Sequence, residues 1–140
     1  MNILMLSAYT QGMTQPESIA ANQMLIAQAR LLGLDAAPTR GKYNGEQEQS
    51  LLVRFKTDHE KNLCYRLARA HQQHAVYVVE NVTVRGGKLS GTGGLELRVP
   101  GEVAYYGMHD DITITCSVDE PVDDYTLLPP EMGGVYIQCK

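Results

Sequence analysis

The sequence predicts an α+β domain: a mostly antiparallel β-sheet with two α-helices packed on it. Three observations carry that expectation. Over residues 1–80, apolar runs of strand length alternate with two helical patterns. After Glu80 the chain breaks into short strand-like pieces punctuated by Gly86-Gly87, Gly91 and Gly93-Gly94. Pieces joined that closely form hairpins, which pair antiparallel. With 140 residues, 44% of them hydrophobic, the chain can bury one core, and 1–140 reads as a single domain.

Taken in order, residues 3–9 form an apolar run that predicts a buried central strand. Residues 12–15 read as a turn, and Pro16-Glu17-Ser18 opens a helix, because proline tolerates the first turn and Glu17 suits the positive end of the dipole. Ala20, Met24, Ala27 and Leu31 recur at helical spacing, with Ala21, Leu25 and Leu32 beside them, and predict the buried stripe, with Gly33 as the stop. Residues 36–40 are a candidate strand interrupted by Pro38, residues 41–50 a polar loop, and residues 51–55 a strand. Thr57 and Glu60 stand at capping-box spacing before a helix whose buried face is Leu63, Leu67 and Ala70, flanked by Cys64 and Ala68. Residues 75–79 predict another buried strand, 111–116 a half-buried one and 135–139 the last, with 119–130 an acidic surface loop.

Composition removes several function classes. A net charge of −4 argues against nucleic-acid binding, which shows as a basic face. Cys64, Cys116 and Cys139 form no C-x-x-C pair, so reduced thiols are expected and a zinc or dithiol site is not. His71 and His74 lack a third ligand at a telling spacing, so no metal is expected. No apolar run approaches the roughly 20 residues of a membrane span, and no signal peptide is recognisable, which predicts a cytoplasmic protein without membrane contact. The stretch 86–96 lacks both glycine-rich phosphate motifs and reads as hairpin turns. Tyr65, Tyr77, Tyr105 and Tyr106 read as core or rim aromatics.

Several local strings, read together, say more. Leu6-Ser7-Ala8-Tyr9 ends the first strand, Gly41-x-Tyr43 follows the first helix, and Glu48-x-Ser50 leads into Leu51-Leu52-Val53 before the capped helix. This order resembles the small phage S-adenosylmethionine (SAM) lyases, formerly called SAM hydrolases, and a group of small bacterial proteins with a similar E-x-S-L-L-V string. The resemblance covers about residues 1–80. It implies SAM as substrate, no cofactor, and a homotrimer of α+β subunits with SAM near subunit interfaces. The implied reaction splits SAM into 5'-methylthioadenosine and homoserine lactone, which in a phage removes a cofactor of host restriction.

By the same resemblance, Glu48 matches the essential glutamate and Tyr43 the active-site tyrosine, while Ser7, Ala8 and Tyr9 match the segment that meets the amino-acid end of SAM. Only four residues separate Tyr43 from Glu48, fewer than in the family. The chemistry is compatible with these groups. SAM carries its own electrophile, the sulfonium, and its own nucleophile, the carboxylate, so the protein has mainly to hold a near-attack conformer, worth roughly 7–11 kcal/mol when alignment is good. Rival readings are a module that binds a nucleotide-like ligand without turnover, an inhibitor of a host protein, and a true hydrolase.

Overall fold

The computed structural model describes residues 2–10, 12–43, 45–73, 75–85, 88–98, 105–107, 111–123, 125–128 and 136–139. Along the chain these form β1 (Asn2–Ser7), α1 (Gln15–Leu31), β2 (Asp35–Tyr43), β3 (Glu46–Phe55), α2 (Asp58–Ala70) and β4 (Ala75–Arg85). Then come β5 (Lys88–Arg98), β6 (Tyr105–Gly107), β7 (Asp111–Ser117), β8 (Tyr125–Leu127) and β9 (Tyr136–Cys139). Every strand pairing among the described residues is antiparallel. The fold class is therefore α+β with two helices on an antiparallel sheet, as the sequence predicts.

The first four strands lie in the order β4-β1-β3-β2, with a helix in each crossover, which is the split βαβ arrangement of ferredoxin-like domains. The later strands continue this sheet. From β2 the pairing runs through β8, β9, β7 and β5, and β5 pairs back onto β4, so the sheet curls into a circuit with β6 beside β5. Closure of this kind leaves few unpaired strand edges.

Register assigns the two faces of the first sheet. Leu4, Leu6, Leu51, Val53, Phe55, Val76 and Val78 bury against Leu25 and Ala29 of α1 and Cys64, Leu67 and Ala68 of α2. Ile3, Met5, Leu52 and Val79 alternate with them, point away from the helices and are also buried. Burial on both faces explains why residues 3–6 are continuously apolar rather than alternating.

The helix starts follow from capping. Thr14 Oγ1 accepts from the Glu17 amide at 3.3 Å while Glu17 Oε1 accepts from the Thr14 amide at 3.1 Å, so the helix begins within the expected turn. Thr57 likewise accepts from the Glu60 amide, but Glu60 reaches one residue further back, to the Lys56 amide at 3.2 Å.

Several expectations are corrected. Ala20, Met24, Ala27 and Leu31 face solvent, Met24 at 59% and Leu31 at 87% exposure, and the buried side of α1 is Asn22, Leu25 and Ala29. The helix is apolar on two sides, so periodicity alone leaves its inward face undetermined. Ala70 is also exposed on α2. Residues 41–43 and 46–50 are strand rather than loop: β2 and β3 form one hairpin, Tyr43 pairing with Glu46, with Gly45 at φ +79°. Pro38 stays inside β2 because β2 pairs with β8 only from Arg40 to Lys42, leaving its second edge unpaired at the proline.

The glycine-rich stretch is mainly strand β5 rather than turns, and the expected loop 119–130 contains β8. His74, His109 and Gly86-Gly87 lie outside the described residues.

Candidate active site

β1 ends beside β3 with Ser7 opposite Ser50, while β3 stays paired with β2 as far as Glu46 and has Thr39 opposite Ser50 on its other side. One step further along, Glu48 pairs with Gly41, and Gly41 pairs with Thr126 of β8. Alternation puts all of these on the face remote from the helices. Gly41 is the floor of the cluster: a Cβ there would lie 3.7 Å from Ser50 Oγ, 3.8 Å from Thr126 Oγ1 and 2.9 Å from the Tyr125 carbonyl oxygen. Thr39 Oγ1 is buried without a hydrogen-bond partner among the described residues. A buried hydroxyl without a partner is an interaction waiting for a water or a ligand.

The backbone around Glu48 is fixed from several directions. Ser7 Oγ donates to the Gln49 carbonyl at 2.7 Å and accepts from the Tyr9 amide at 3.0 Å. On the helix side, Asn22 Nδ2 donates to Gln49 Oε1 at 3.3 Å, which pins the residue after Glu48 from α1. Tyr9 donates its phenolic proton to Glu46 Oε2 at 3.0 Å, which ties down the strand two residues before Glu48. That hydrogen bond to Glu46 pushes the Tyr9 phenol above its ordinary value, with burial and the charges of Glu46 and Glu48 adding to it. Glu48 itself is half-buried and engaged in an interaction of its own.

Of the residues expected at the site, Ser7, Tyr9 and Glu48 come together at this mouth. Ala8 is adjacent, but its side chain belongs to the helix-side core, so it presents backbone only. Tyr43 pairs with Glu46 at the hairpin end, and its side chain lies outside the described residues. Glu46, Gln49, Asn22 and Thr39 were not singled out in the sequence, and Gly41 was read only as part of the Gly41-x-Tyr43 string. A signal for part of this existed: Asn44-Gly45 is a strong hairpin turn, and strand periodicity from Glu46 onward puts Glu46, Glu48 and Ser50 on one face. Asn22 had no such signal, being one of several polar residues along the first helix.

No group of three or more His, Cys, Asp or Glu side chains is placed to hold a metal among the described residues, and none of their helices is long and apolar enough to cross a membrane.

Fold and mouth together define an α+β domain of split βαβ units carrying a hydroxyl and carboxylate cluster where β1 ends against the β2–β3 hairpin. The sequence model of the S-Adenosylmethionine lyase family matches residues 4–102, which span this cluster apart from Thr126. The chain belongs to the S-Adenosylmethionine lyase family. No curated protein matches the chain. Family membership supports a SAM-cleaving enzyme with SAM as its substrate.

Proposed function

We propose that the protein cleaves SAM to 5'-methylthioadenosine and homoserine lactone without a metal or other cofactor. The observation that carries this reading is the convergence of Ser7, Tyr9 and Glu48 on one strand mouth inside the segment matched by the family. In the reaction, an oxygen of the substrate carboxylate attacks the γ-carbon. A C–O bond forms, the Cγ–S bond breaks, and its electron pair passes to sulfur, giving a neutral thioether and the five-membered lactone.

Charge is neutralised as the reaction proceeds, so the protein has chiefly to fold the methionine portion and hold it in line. Glu48 accepts from the substrate α-ammonium and fixes that conformer. Tyr43 donates to a substrate oxygen or orients Glu48. The Ser7–Tyr9 segment orients the carboxylate through the Ala8 backbone amide, since Ser7 Oγ and the Tyr9 amide are already bonded to each other. The working assembly is a homotrimer with SAM near subunit boundaries, acting in the cytoplasm. In a phage, depletion of SAM would serve against host restriction.

The test is incubation of purified protein with SAM in EDTA, with products followed by chromatography and mass detection. Methylthioadenosine and homoserine lactone at many turnovers per protein, lost in Glu48→Gln, is the expected result. Undiminished turnover by Glu48→Gln would remove the central role. Retention of SAM without product would leave a binding module. Heavy-oxygen water distinguishes a hydrolase if the lactone is trapped before it opens, and light scattering tests the trimer.

A further inference from the structure

The end of α2 sends one side chain into the mouth. The helix closes on its own backbone: the amides of His71, Gln72 and Gln73 bond the carbonyls of Leu67, Arg69 and Ala68 at 3.0, 3.0 and 2.8 Å. Gln72 sits at φ +57°, the left-handed position that ends helices, before β4 begins at Ala75. The Gln73 side chain is therefore not needed as a cap. Its Nε2 donates instead to the Tyr9 carbonyl at 2.7 Å, across 64 residues of sequence, and more weakly to the His71 carbonyl at 3.3 Å.

β1 has left the sheet by this point. Its last paired residue is Ser7, so the Tyr9 carbonyl has no ladder partner. Tyr9 is then held at three places by three parts of the fold: its amide by Ser7, its carbonyl by Gln73 and its phenol by Glu46. Of these, only the Gln73 bond ties the segment to a helix.

We propose that Gln73 is a positioning residue for the substrate: it fixes the Ser7–Tyr9 backbone, so that the segment beside Glu48 presents one geometry to the amino-acid end of SAM. This rests on the reading of that segment as substrate-facing. Gln73 touches no reacting atom in this scheme. Its removal leaves the helix cap intact and lets the segment move, which weakens alignment rather than folding.

The test compares Gln73→Glu, which keeps the length but replaces the donor with an oxygen facing a carbonyl, and Gln73→Ala, against the wild-type chain. Steady-state kinetics with SAM and thermal unfolding are measured on all three. The expected result is a KM for SAM raised about tenfold in both variants, the effect of one well-placed hydrogen bond, with Tm within about 2 °C of wild type. Wild-type kinetics in both variants would overturn the positioning role while leaving the lyase in place. Loss of Tm in step with activity would also overturn it, by making Gln73 structural. If the wild-type chain makes no product, the lyase reading fails and calorimetric SAM binding decides this one. Affinity about tenfold weaker in both variants then supports it; equal affinity, or no binding by wild type, overturns it.

Discussion

Tyr9 and Glu46 form a phenol–carboxylate pair, 3.0 Å from hydroxyl to Oε2, two strand residues from Glu48. The hydrogen bond stabilises the neutral phenol, and two nearby negative charges disfavour the phenolate, so both act to raise the Tyr9 pKa. In ¹³C-tyrosine NMR, the Tyr9 resonance should titrate above the ordinary tyrosine value of about 10. Glu46→Gln should bring the midpoint back down, because it removes one charge and weakens the acceptor. A Tyr9 midpoint indifferent to Glu46→Gln would mean that the pair does not persist in solution.

Gly41 is required by space rather than by conformation. Its Cβ in an alanine variant would meet the Tyr125 backbone carbonyl at 2.9 Å, and backbone cannot swing aside as a side-chain tip can. Gly41→Ala should therefore push β8 from β2 and destabilise the fold by about 1–3 kcal/mol in denaturant unfolding. Gly45 provides the contrast. It has open space around it but φ +79°, so Gly45→Ala should cost only the strain of a left-handed alanine, about 1–2 kcal/mol, without disturbing the β2–β8 contact. Amide exchange at Arg40–Lys42 separates the two: faster in Gly41→Ala, unchanged in Gly45→Ala.

The two apolar sides of α1 should differ sharply in energetic weight. Leu25 is fully buried, and Leu25→Ala should cost about 2–5 kcal/mol through lost transfer energy and the cavity left behind. Leu31 is 87% exposed, and Leu31→Ala should change stability by less than about 0.5 kcal/mol. Urea unfolding of both variants at low protein concentration checks this. A comparable loss at Leu31 would place that leucine in a buried contact.

How much of this was legible in the sequence follows from where the information sits. β1 and β4 were readable because they are buried on both faces, which leaves an uninterrupted apolar run. The second helix was readable because its apolar and charged residues separate cleanly and Thr57 caps it. The inward face of α1 was not, since Ala20, Met24, Ala27 and Leu31 compete with Leu25 and Ala29 at equal periodicity and only tertiary contact selects between them. At the site, Ser7 and Glu48 were found by family likeness. The residues that fix them, Gln73, Asn22 and Gln49, act through contacts across 27 to 64 residues of sequence that no local pattern encodes.

Cys64 should be chemically silent in the folded protein. It is fully buried between α2 and the sheet, and burial, assisted by the charge of Glu60, pushes its thiol up to about 12. The thiolate is the reactive form, so alkylation at pH 8 is blocked both by access and by protonation. Peptide mapping after iodoacetamide should find Cys64 unmodified in native protein and fully modified in urea. Modification at matching rates in both states would contradict the packing of α2.

His71 gives the fold a pH dependence whose sign can be worked out. Its Nε2 lies 2.6 Å from Gln28 Oε1 of α1, and desolvation lowers its pKa from 6.5. A neutral imidazole is thus favoured in the folded state, with Nε2–H donating to the amide oxygen. Because the unfolded chain binds the proton more readily, its contribution is complete above pH 6.5 and is lost as pH falls through the folded value. Glu17 acts in the same direction but lower down: hydrogen bonds from the Thr14 side chain and backbone hold its carboxyl below 4.5. Measurements between pH 7.5 and 5 therefore leave Glu17 out, and comparison with His71→Gln singles out His71 among the four histidines. Wild-type Tm should fall across that window more steeply than that of His71→Gln, which has no charge to gain. Parallel curves for the two proteins would mean that His71 titrates alike in the folded and unfolded chain, and that α1 and α2 do not desolvate it.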